Sequence, residues 1–322
     1  MKVLVAGSTG ALGIPTVRAL IKEGHDVVGL TRSQDKAIRL EELGASVAHG
    51  DVLDEEAMLR VMERVRPQGV LQLLNALPKR GPLRPRELEG TNRLRVVGTK
   101  NLLSAATAAG VKRFVTESMI FGYGYGHVRD RLVTEEDPFG GPVSFPPAQP
   151  AIDALNFLED QVLEASTSGA IEGVVLRYGL FYGPGVGSTE FMVTLLKRGL
   201  FILPGGGHAV GSWIHVEDGA SAAATALEDA PAGSVFNVVD DEPVPLRDFA
   251  QRLAETLDLR QPRSVPMWAA RILGTYAHAM ARSRLPVSNE RIKRDLGWSP
   301  RHPTYREGSA SLRSTSRVPG VP

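Results

Sequence analysis

The sequence predicts an α/β protein, a Rossmann-type, doubly wound parallel sheet with a smaller, mostly helical C-terminal lobe. Three observations predict this fold class. Short β-branched apolar runs alternate with amphipathic stretches through the first half of the chain, which is typical of βαβ units. A glycine-rich string separates the first apolar run from the first amphipathic stretch. After Tyr178 the alternation gives way to loops rich in glycine and proline and to separate helical patterns.

The positions of the predicted strands and helices follow from this alternation. Strands are predicted at Lys2–Ala6, Asp26–Leu30, Ser46–His49, Gly69–Leu73, Arg113–Thr116 and Gly173–Arg177. Helices are predicted between them at Ala11–Glu23, Asp35–Leu43, Asp54–Val65, Glu87–Ala109 and Ile152–Ser168, and later at His215–Glu228, Pro245–Leu257 and Met267–Ser283. Gly24 and Gly44 support two of the helix ends, since glycine adopts the left-handed terminal conformation without a Cβ clash.

These elements predict two interleaved domains. A dinucleotide-binding domain covers residues 1–178, and residues 212–240 complete part of its sheet. The substrate-binding lobe covers residues 179–310. Residues 311–322, rich in Ser, Arg and Pro, are predicted to be a flexible tail.

Composition narrows the classes of partner. The chain has 322 residues, 43% of them hydrophobic, and 37 Lys+Arg against 36 Asp+Glu give a net charge of +1. We therefore expect a small-molecule partner rather than nucleic acid or a membrane surface. No cysteine occurs, which excludes disulfides, thiolate metal ligands and a cysteine nucleophile, and we predict no metal site. Neither a signal peptide nor a membrane-spanning run is apparent, so we expect a cytoplasmic protein.

The glycine-rich string predicts a dinucleotide site. Gly7 would allow the tight turn after the strand, Gly10 the approach of backbone to a pyrophosphate, and Gly13 the close packing of helix on strand. The first N–H groups of the helix would then bind the anion. The predicted cofactor contacts of this loop are Gly7, Ser8, Thr9, Gly10, Ala11, Leu12 and Gly13.

The end of the second predicted strand favours NADPH over NADH. An NAD site would place a carboxylate there, about 20 residues beyond the glycines, to bind the ribose 2′-hydroxyl. Thr31, Arg32 and Ser33 stand there instead, and a guanidinium with two hydroxyls suits a 2′-phosphate. The alternative is that Arg32 caps a surface turn. Asp51 is predicted to accept from the adenine amino group, or else to cap a helix. Further cofactor contacts are predicted for Val52, Asn75, Ala76, Thr116 and Tyr178.

Several ordered motifs resemble the extended short-chain dehydrogenase/reductase family, and the likeness runs along nearly the whole chain. The motifs are the glycine loop, Arg177-Tyr178 with Tyr182-Gly183-Pro184-Gly185, Ile214-His215-Val216-Glu217-Asp218, Phe236-Asn237-Val238 and Leu296-Gly297-Trp298-Ser299-Pro300. The resemblance implies catalysis by a tyrosine acid/base, a lysine four residues later that lowers its pKa, and a serine that holds the carbonyl oxygen.

The chain departs from this pattern at the tyrosine and the lysine. Alignment on Glu159 places Ala151 at the tyrosine position and Leu155 at the lysine position. No tyrosine in the chain is followed by lysine at the fourth position. Since neither alanine nor leucine can move a proton, we expect the chemistry to be done in another way or to be absent.

Three further family positions also differ. Met119 occupies the usual serine position, with Ser118 one residue earlier, and Arg95 replaces the asparagine expected three residues before Gly98. Gly211 stands where the resemblance implies an arginine that grips a nucleotide-sugar phosphate. Activity on nucleotide sugars is therefore not expected.

Other side chains could stabilise the developing alkoxide. Ser118 and Tyr178 are the predicted catalytic residues, and Tyr123, His215 and His127 are further candidates. Alternatively, a ketone beside a phenol hydroxyl would supply its own acid, as in the aromatic polyketide (angucyclinone) ketoreductases that this degenerate site resembles. An apolar substrate lining is expected from Phe121, Phe181, Phe191, Met192, Trp213, Met267, Trp268 and Tyr276.

The sequence thus predicts an NADPH-dependent ketoreductase of a bulky apolar or aromatic carbonyl compound such as a polyketide, without the usual tyrosine and lysine. Two alternatives stay open: a non-catalytic NADP(H)-binding sensor, and an epimerase or isomerase that uses another base. The helices predicted at Glu87–Ala109 and Ile152–Ser168 could form the seam of a homodimer, as the family resemblance implies.

Overall fold

A seven-stranded parallel sheet forms the centre of the molecule. The structure, a computed structural model, describes residues 1–126 and 128–315. Its strands are β1 (Lys2–Ala6), β2 (Asp26–Thr31), β3 (Ser46–His49), β4 (Gly69–Gln72), β5 (Arg113–Met119), β6 (Glu172–Tyr178), β7 (Leu180–Tyr182), β8 (Ile202–Pro204), β9 (Val210–Gly211), β10 (Trp213–His215), β11 (Val235–Val238), β12 (Val244–Pro245) and β13 (Arg263–Val265). The central sheet has the order β11-β6-β5-β4-β1-β2-β3, which is doubly wound from β1.

Helices cover the sheet and build the C-terminal lobe. They are α1 (Gly13–Lys22), α2 (Gln34–Glu42), α3 (Glu55–Val65), α4 (Glu89–Arg93), α5 (Thr99–Ala108), α6 (Gln149–Thr167), α7 (Gly187–Arg198), α8 (Val216–Asp229), α9 (Leu246–Thr256), α10 (Ala269–Leu273), α11 (Thr275–Met280), α12 (Glu290–Leu296), α13 (Tyr305–Ala310) and α14 (Leu312–Thr315). Over residues 1–126 and 128–315, no helix is both long enough and apolar enough to cross a bilayer.

The alternation of side chains along β1 explains why both faces of the sheet are covered. Val3 and Val5 belong to one apolar core cluster, together with residues of α1 and α8. Leu4 and Ala6 belong to another, together with residues of α3 and α5. Because successive residues of a strand point to opposite faces, this continuous apolar run buries both sides of the sheet.

The predicted Rossmann fold is confirmed. Within residues 212–240, β11 pairs with β6 at the edge of the sheet. The lobe is less purely helical than predicted. Three two-stranded sheets lie outside the central one: β10 with β7, β12 with β9, and β13 with β8. The prediction missed them because strands of two or three residues are too short to show a hydrophobic period.

Two predicted helices are interrupted. The stretch predicted as one helix over Glu87–Ala109 contains a 3-10 turn, α4, a π-helical turn at Leu94–Gly98, and α5. The stretch predicted over Met267–Ser283 breaks at Gly274, whose φ is +125°. A Cβ at Gly274 would lie 2.7 Å from the Leu83 carbonyl oxygen, so a close approach to another segment breaks the helix. The hydrophobic periodicity of the sequence indicates neither the π-helical turn nor the close approach at Gly274.

The first residues of the predicted flexible tail are helical. Leu312 begins α14 and is 8% exposed because it packs in an apolar cluster with Phe249 and Tyr305. The predicted start of the tail, at residue 311, therefore lies before a short helix that packs against the lobe. Residues 316–322 lie outside the described part of the chain.

A buried ion pair fastens α6 to the sheet. The Arg177 guanidinium on β6 donates to both carboxylate oxygens of Glu159 on α6, at 2.7 to 3.1 Å, and both residues are buried. The Ser118 hydroxyl donates to the same carboxylate at 2.5 Å. Arg177 also donates to the Tyr123 hydroxyl at 2.7 Å, which in turn donates to Asn237 on β11 at 2.8 Å. This network joins β5, β6, β11 and α6.

We predict that Glu159→Ala lowers the free energy of unfolding by about 3–5 kcal/mol, because it leaves the Arg177 guanidinium buried without a counter-charge. Urea denaturation followed by far-UV circular dichroism measures this loss. The matched control is Glu172→Ala, which removes the half-exposed partner of Arg113 and should cost about 0–1 kcal/mol. Equal losses in the two variants would contradict a special role for the buried pair.

Candidate cofactor and substrate site

The glycine loop lies between β1 and α1, as predicted, and two of its glycines are demanded by packing. Gly7 has a φ of +89°, and a Cβ there would lie 2.2 Å from the Leu73 carbonyl oxygen. A Cβ at Gly13 would lie 2.1 Å from the Gly7 carbonyl oxygen. Gly10 differs, because it is exposed and its N–H donates to Gly7 at 2.9 Å. The loop therefore presents bare backbone at Gly10, which is what a pyrophosphate requires.

The other residues of the glycine loop are of two kinds: some are buried and hold the loop in place, and some are at the surface. The Ser8 hydroxyl is buried and donates to the Leu30 carbonyl oxygen at 3.1 Å, so it fastens the loop to β2. Leu12 is also buried. Thr9 and Ala11 reach the surface beside Gly10. A ligand on this loop would contact Thr9, Gly10 and Ala11 rather than the Ser8 side chain.

The residues predicted to bind the adenosine part of the cofactor lie together near the end of β2. The Arg32 side chain is 70% exposed and donates to Asp51 at 3.1 Å. Asp51 also accepts from the Leu53 N–H at 3.0 Å, and these bonds lower its pKa despite partial burial. Ser33 precedes α2 without a capping hydrogen bond from its side chain, and the Thr31 hydroxyl accepts from the Ser33 N–H. An exposed guanidinium thus stands beside two hydroxyls.

The remaining predicted cofactor contacts lie at the C-terminal ends of the strands or beside them. Asn75 and Ala76 are exposed after β4, and the Ala76 N–H donates to Thr91 at 2.9 Å. The side chains of Val52 and Thr116 are buried, so these two residues could contact a ligand only through their backbone.

The predicted catalytic hydroxyls are both fully buried and occupied. Ser118 is bonded to Glu159, in the network described above. Tyr178 donates to the Gly219 carbonyl oxygen at 3.1 Å, and burial raises its pKa well above the usual value. Ala151 and Leu155 on α6 are buried as well, at 4% and 1% exposure. None of these four side chains presents a proton donor to the strand ends.

The further candidates also have structural partners. The Tyr123 hydroxyl is bonded to Arg177 and Asn237, and burial raises its pKa to about 12. His215 is buried, caps α8 through the Glu217 N–H, and has its pKa lowered to about 4, chiefly by burial. It is therefore neutral at pH 7. His127 lies outside the described residues.

One group of histidines and a carboxylate could hold a metal ion by distance alone. Ligand atoms of His215, Glu217 and His302 lie within 4.8 Å of one another. Both ring nitrogens of His215 are engaged, one by the Glu217 N–H and the other by Ser311 at 3.0 Å. His302 is bonded to the buried Asp218 at 2.8 Å. These bonds account for the cluster as a support for α8.

Four ionisable side chains that the sequence analysis did not assemble form a buried group, which we call the Arg95 cluster: Arg95, Glu117, Tyr125 and Tyr276. Their exposed fractions are 8%, 8%, 6% and 2%. Arg95 belongs to the π-helical turn between α4 and α5, and Glu117 lies near the end of β5. Over residues 1–126 and 128–315, Arg95 makes no hydrogen bond or ion pair, and Glu117 Oε2 and the Tyr276 hydroxyl have no hydrogen-bond partner.

Burial dominates the electrostatics of the Arg95 cluster. It raises the pKa of Glu117 to about 7, with Arg95 and Asn75 acting in the opposite direction. It also raises the pKa of Tyr125 to about 12 and lowers the pKa of Arg95. A carboxyl group with such a pKa is protonated in a substantial fraction of molecules at neutral pH, as a general acid must be.

The parallel register places this cluster beside the expected cofactor. β1, β4 and β5 are neighbours in the sheet, so the glycine loop, Asn75 and Glu117 all follow or end strands at one edge. Adjacent strands are about 4.8 Å apart, so Glu117 lies roughly 10 Å along this edge from the glycine loop. Dinucleotides bind across this edge in open α/β sheets.

The aromatic lining predicted from the sequence separates into two regions. Phe121 stacks on Tyr125 at 4.6 Å between ring centroids, and Tyr276 lies 4.9 Å from Tyr125, so these rings border the Arg95 cluster. Trp213 instead stacks on Phe249 in the core of the C-terminal lobe. The other members are Met192 in that core, Phe181 against Tyr178, half-buried Met267, and the exposed Phe191 and Trp268.

A signal for the Arg95 cluster was present in the sequence. Arg95 replaces a family asparagine, and Glu117 is an acidic residue directly after the predicted strand Arg113–Thr116. Charged residues are seldom fully buried unless they are paired, so each was a candidate for function.

Comparisons with known proteins agree with the fold and place the chain in a family. Residues 3–239 match the model of the NAD dependent epimerase/dehydratase family. In structure the chain resembles a UDP-glucose 4-epimerase of Thermotoga maritima, with a TM-score of 0.80 and 22% identity over 98% of this chain and 100% of that one. It also resembles a dTDP-glucose 4,6-dehydratase of Streptomyces venezuelae, with a TM-score of 0.79 and 21% identity over 97% and 96%. At these identities the likeness shows the fold alone.

Three of the relatives are named as reductases. The chain is 36% identical to a 3-diazoavenalumate denitrifying reductase of a Streptomyces species, over 96% of this chain and 99% of the relative. It is 27% identical to a 4-hydroxy-2-methyl-3-oxo-4-farnesyl-3,4-dihydroquinoline-1-oxide ketoreductase of Stigmatella aurantiaca, over 97% and 96%. The protein is thus an NAD(P)-dependent oxidoreductase. By its matched residues and these relatives, the chain belongs to the NAD dependent epimerase/dehydratase family.

Proposed function

We propose that the protein is an NADPH-dependent reductase of an aromatic or otherwise bulky apolar carbonyl compound, and that Glu117 replaces the usual tyrosine as proton donor. The observation that carries this proposal is a buried carboxyl group with one unpartnered oxygen at the end of β5. No side chain at Ala151 or Leu155 can compete with it for this role.

The residues present fit the cofactor. Gly10 leaves a bare, exposed backbone for the pyrophosphate, and Arg32 and Ser33 offer donors to a 2′-phosphate, while the buried Thr31 hydroxyl supports the turn. When bound, NADPH supplies the hydride that reduces the carbonyl carbon. The Glu117 carboxyl group would give its proton to the carbonyl oxygen as negative charge develops there, and a proton from the solvent would then reprotonate the carboxylate.

The relatives support a second candidate. The relative with 36% identity acts on a diazo compound by its name, and removal of dinitrogen from an aromatic diazonium carbon needs a hydride but no proton on oxygen. A site without the tyrosine and lysine suits that reaction too. The two candidates differ in whether Glu117 must donate a proton.

Gly10→Val should abolish NADPH binding without unfolding the protein. Gly10 is exposed, and the only neighbour of an added Cβ is the Gly7 carbonyl oxygen at 3.2 Å, so the new side chain would project into the pyrophosphate site. Fluorescence titration with NADPH and a thermal melt of the free protein check this expectation. Gly24→Ala, distant from the loop, serves as the control for binding. Normal NADPH affinity in Gly10→Val would mean that the cofactor binds elsewhere.

Arg32→Ala should weaken NADPH binding by about 1–3 kcal/mol and leave NADH binding nearly unchanged, since only NADPH carries the 2′-phosphate that the guanidinium would bind. The measurement is the ratio of the two dissociation constants in the wild type and the variant. Arg39→Ala, in the last turn of α2, is the matched control. An equal loss for both cofactors would remove the argument for NADP.

Glu117→Gln should lower kcat for carbonyl reduction by about 10²–10⁴, because an amide cannot donate the proton. In the wild type, activity should fall as the pH rises through about 7, where the Glu117 carboxyl group ionises. The groups that face this carboxyl are Arg95, Asn75 and Tyr178. The measurement is the pH dependence of kcat with a quinone or a phenolic ketone as substrate.

A second readout of Glu117→Gln is independent of turnover. Because the pKa of Glu117 in the folded protein lies above its usual value of 4.5, Glu117 favours folding at low pH, and this stabilisation is lost as the pH rises through about 7. The glutamine variant should therefore be more stable than the wild type at pH 8, by on the order of 3 kcal/mol. Full ketoreductase activity in the variant would overturn the role of Glu117. Intact reduction of a diazo substrate with lost ketone reduction would favour the second candidate, and NADPH binding with no turnover of either would favour a sensor.

A further inference from the structure

Arg95 is a largely buried arginine whose guanidinium has no hydrogen-bond or ion-pair partner among residues 1–126 and 128–315. Arg177, the other buried arginine in residues 1–126 and 128–315, makes three hydrogen bonds to Glu159. Arg95 is buried to the same degree and makes none. A buried charge without hydrogen bonds is strongly destabilising, so proteins retain one only where something else compensates it.

Glu117 does not provide that compensation. None of its oxygens lies within 4.0 Å of a guanidinium nitrogen of Arg95, although the two groups are close enough to act on each other's pKa. Glu117 Oε2 also lacks a hydrogen-bond partner. The two groups therefore act on each other electrostatically without direct contact, and neither satisfies the hydrogen-bonding capacity of the other.

The backbone holds Arg95 in this position by an unusual turn. The residues from Leu94 to Gly98 form a π-helical turn between α4 and α5, which inserts an extra residue into the helix and redirects the side chains around it. Such turns are uncommon and occur frequently at functional sites. The turn packs beside α6, where the family tyrosine and lysine positions are occupied by Ala151 and Leu155.

The tyrosines of the Arg95 cluster add hydroxyl groups and aromatic surface. Among residues 1–126 and 128–315, the buried Tyr276 hydroxyl meets no partner with hydrogen-bond geometry, although the Tyr125 hydroxyl lies near it. The rings of Phe121, Tyr125, Tyr276 and Phe145 follow one another at centroid distances of 4.6, 4.9 and 5.9 Å. Their interplanar angles of 13°, 57° and 73° make an aromatic wall that an aromatic ligand can contact by face or by edge.

We propose that the Arg95 cluster is an anion subsite of the substrate pocket, in which the Arg95 guanidinium binds the carboxylate or phenolate of a planar aromatic substrate. A guanidinium presents parallel N–H donors that match an anionic oxygen group, and the Tyr276 hydroxyl can donate to the same group. The inference rests on the proposed function only in calling the bound ligand a substrate. The anion site itself is defined by Arg95 alone.

The test is calorimetric binding of trans-cinnamate, its neutral amide cinnamamide, and 4-nitrophenolate to the full chain, with and without saturating NADP⁺. Binding of cinnamate at least ten-fold tighter than of cinnamamide would support a carboxylate subsite. The same preference for 4-nitrophenolate would identify a phenolate subsite. Equal affinity for the amide and both anions, or no binding of any of the three, would overturn the anion site.

The variants are Arg95→Gln and, as matched control on the same helix, the exposed Arg93→Gln. Arg95→Gln should weaken binding of the anion at least ten-fold and leave binding of cinnamamide unchanged. Without ligand, its melting temperature should equal or exceed that of the wild type, because an unpaired buried charge has been removed. Unchanged anion affinity in Arg95→Gln, or an equal loss in Arg93→Gln, would overturn the proposal.

These outcomes separate this inference from the proposed function. Binding that depends on Arg95 needs no turnover, so it would stand if ketone reduction failed. Conversely, loss of ketone reduction in Glu117→Gln with no anion preference would support the proton donor and overturn only the subsite.

Discussion

The bidentate ion pair between Arg177 and Glu159 determines which side chains remain available for chemistry. It ties α6 to β6 and engages the Ser118 and Tyr123 hydroxyls as supporting hydrogen-bond partners. Successive residues of β5 point to opposite faces, so the strand that gives Ser118 to this network directs Glu117 away from it. The same pairing that stabilises the fold thus engages the Ser118 hydroxyl and leaves the Glu117 carboxyl group outside the network.

The two buried arginines show how differently a protein can treat one kind of charge. Arg177 is fully compensated, and its removal from solvent is repaid by short hydrogen bonds and by its position over the Phe139 ring, 3.7 Å from the centroid. Arg95 has no such compensation within the described chain. Because a folded domain is stable by only about 5–15 kcal/mol, an uncompensated buried charge is a large cost for it to carry. A cost of that size is expected at a binding site, where the ligand supplies the missing partner.

The sequence predicted the parts of the structure that depend on local constraints. The positions of Gly7 and Gly13 could be interpreted directly, because a Cβ at either would clash with backbone a few residues away or on the neighbouring strand. The order of strands and helices followed from hydrophobic periods. Side-chain roles could not be predicted so well. Whether Ser118 or Glu117 faces the site depends on the phase of β5, and the direction of Arg95 depends on a π-helical turn that no periodicity indicates.

If a substrate anion binds at Arg95 as proposed, its binding would be coupled to the protonation of Glu117, because the two side chains act on each other electrostatically. In the free protein the Arg95 guanidinium lowers the pKa of Glu117 and so opposes the effect of burial. An anion bound to Arg95 would neutralise that guanidinium and exclude water from the carboxyl group, and both changes raise the pKa of Glu117. The carboxyl group would then hold its proton most firmly when a substrate is present to receive it. A tyrosine and lysine pair works in the opposite sense, since its fixed cation lowers the pKa of the acid at all times. Replacing that pair by a carboxyl group and a cation that the substrate itself neutralises would make the acid ready only in the complex.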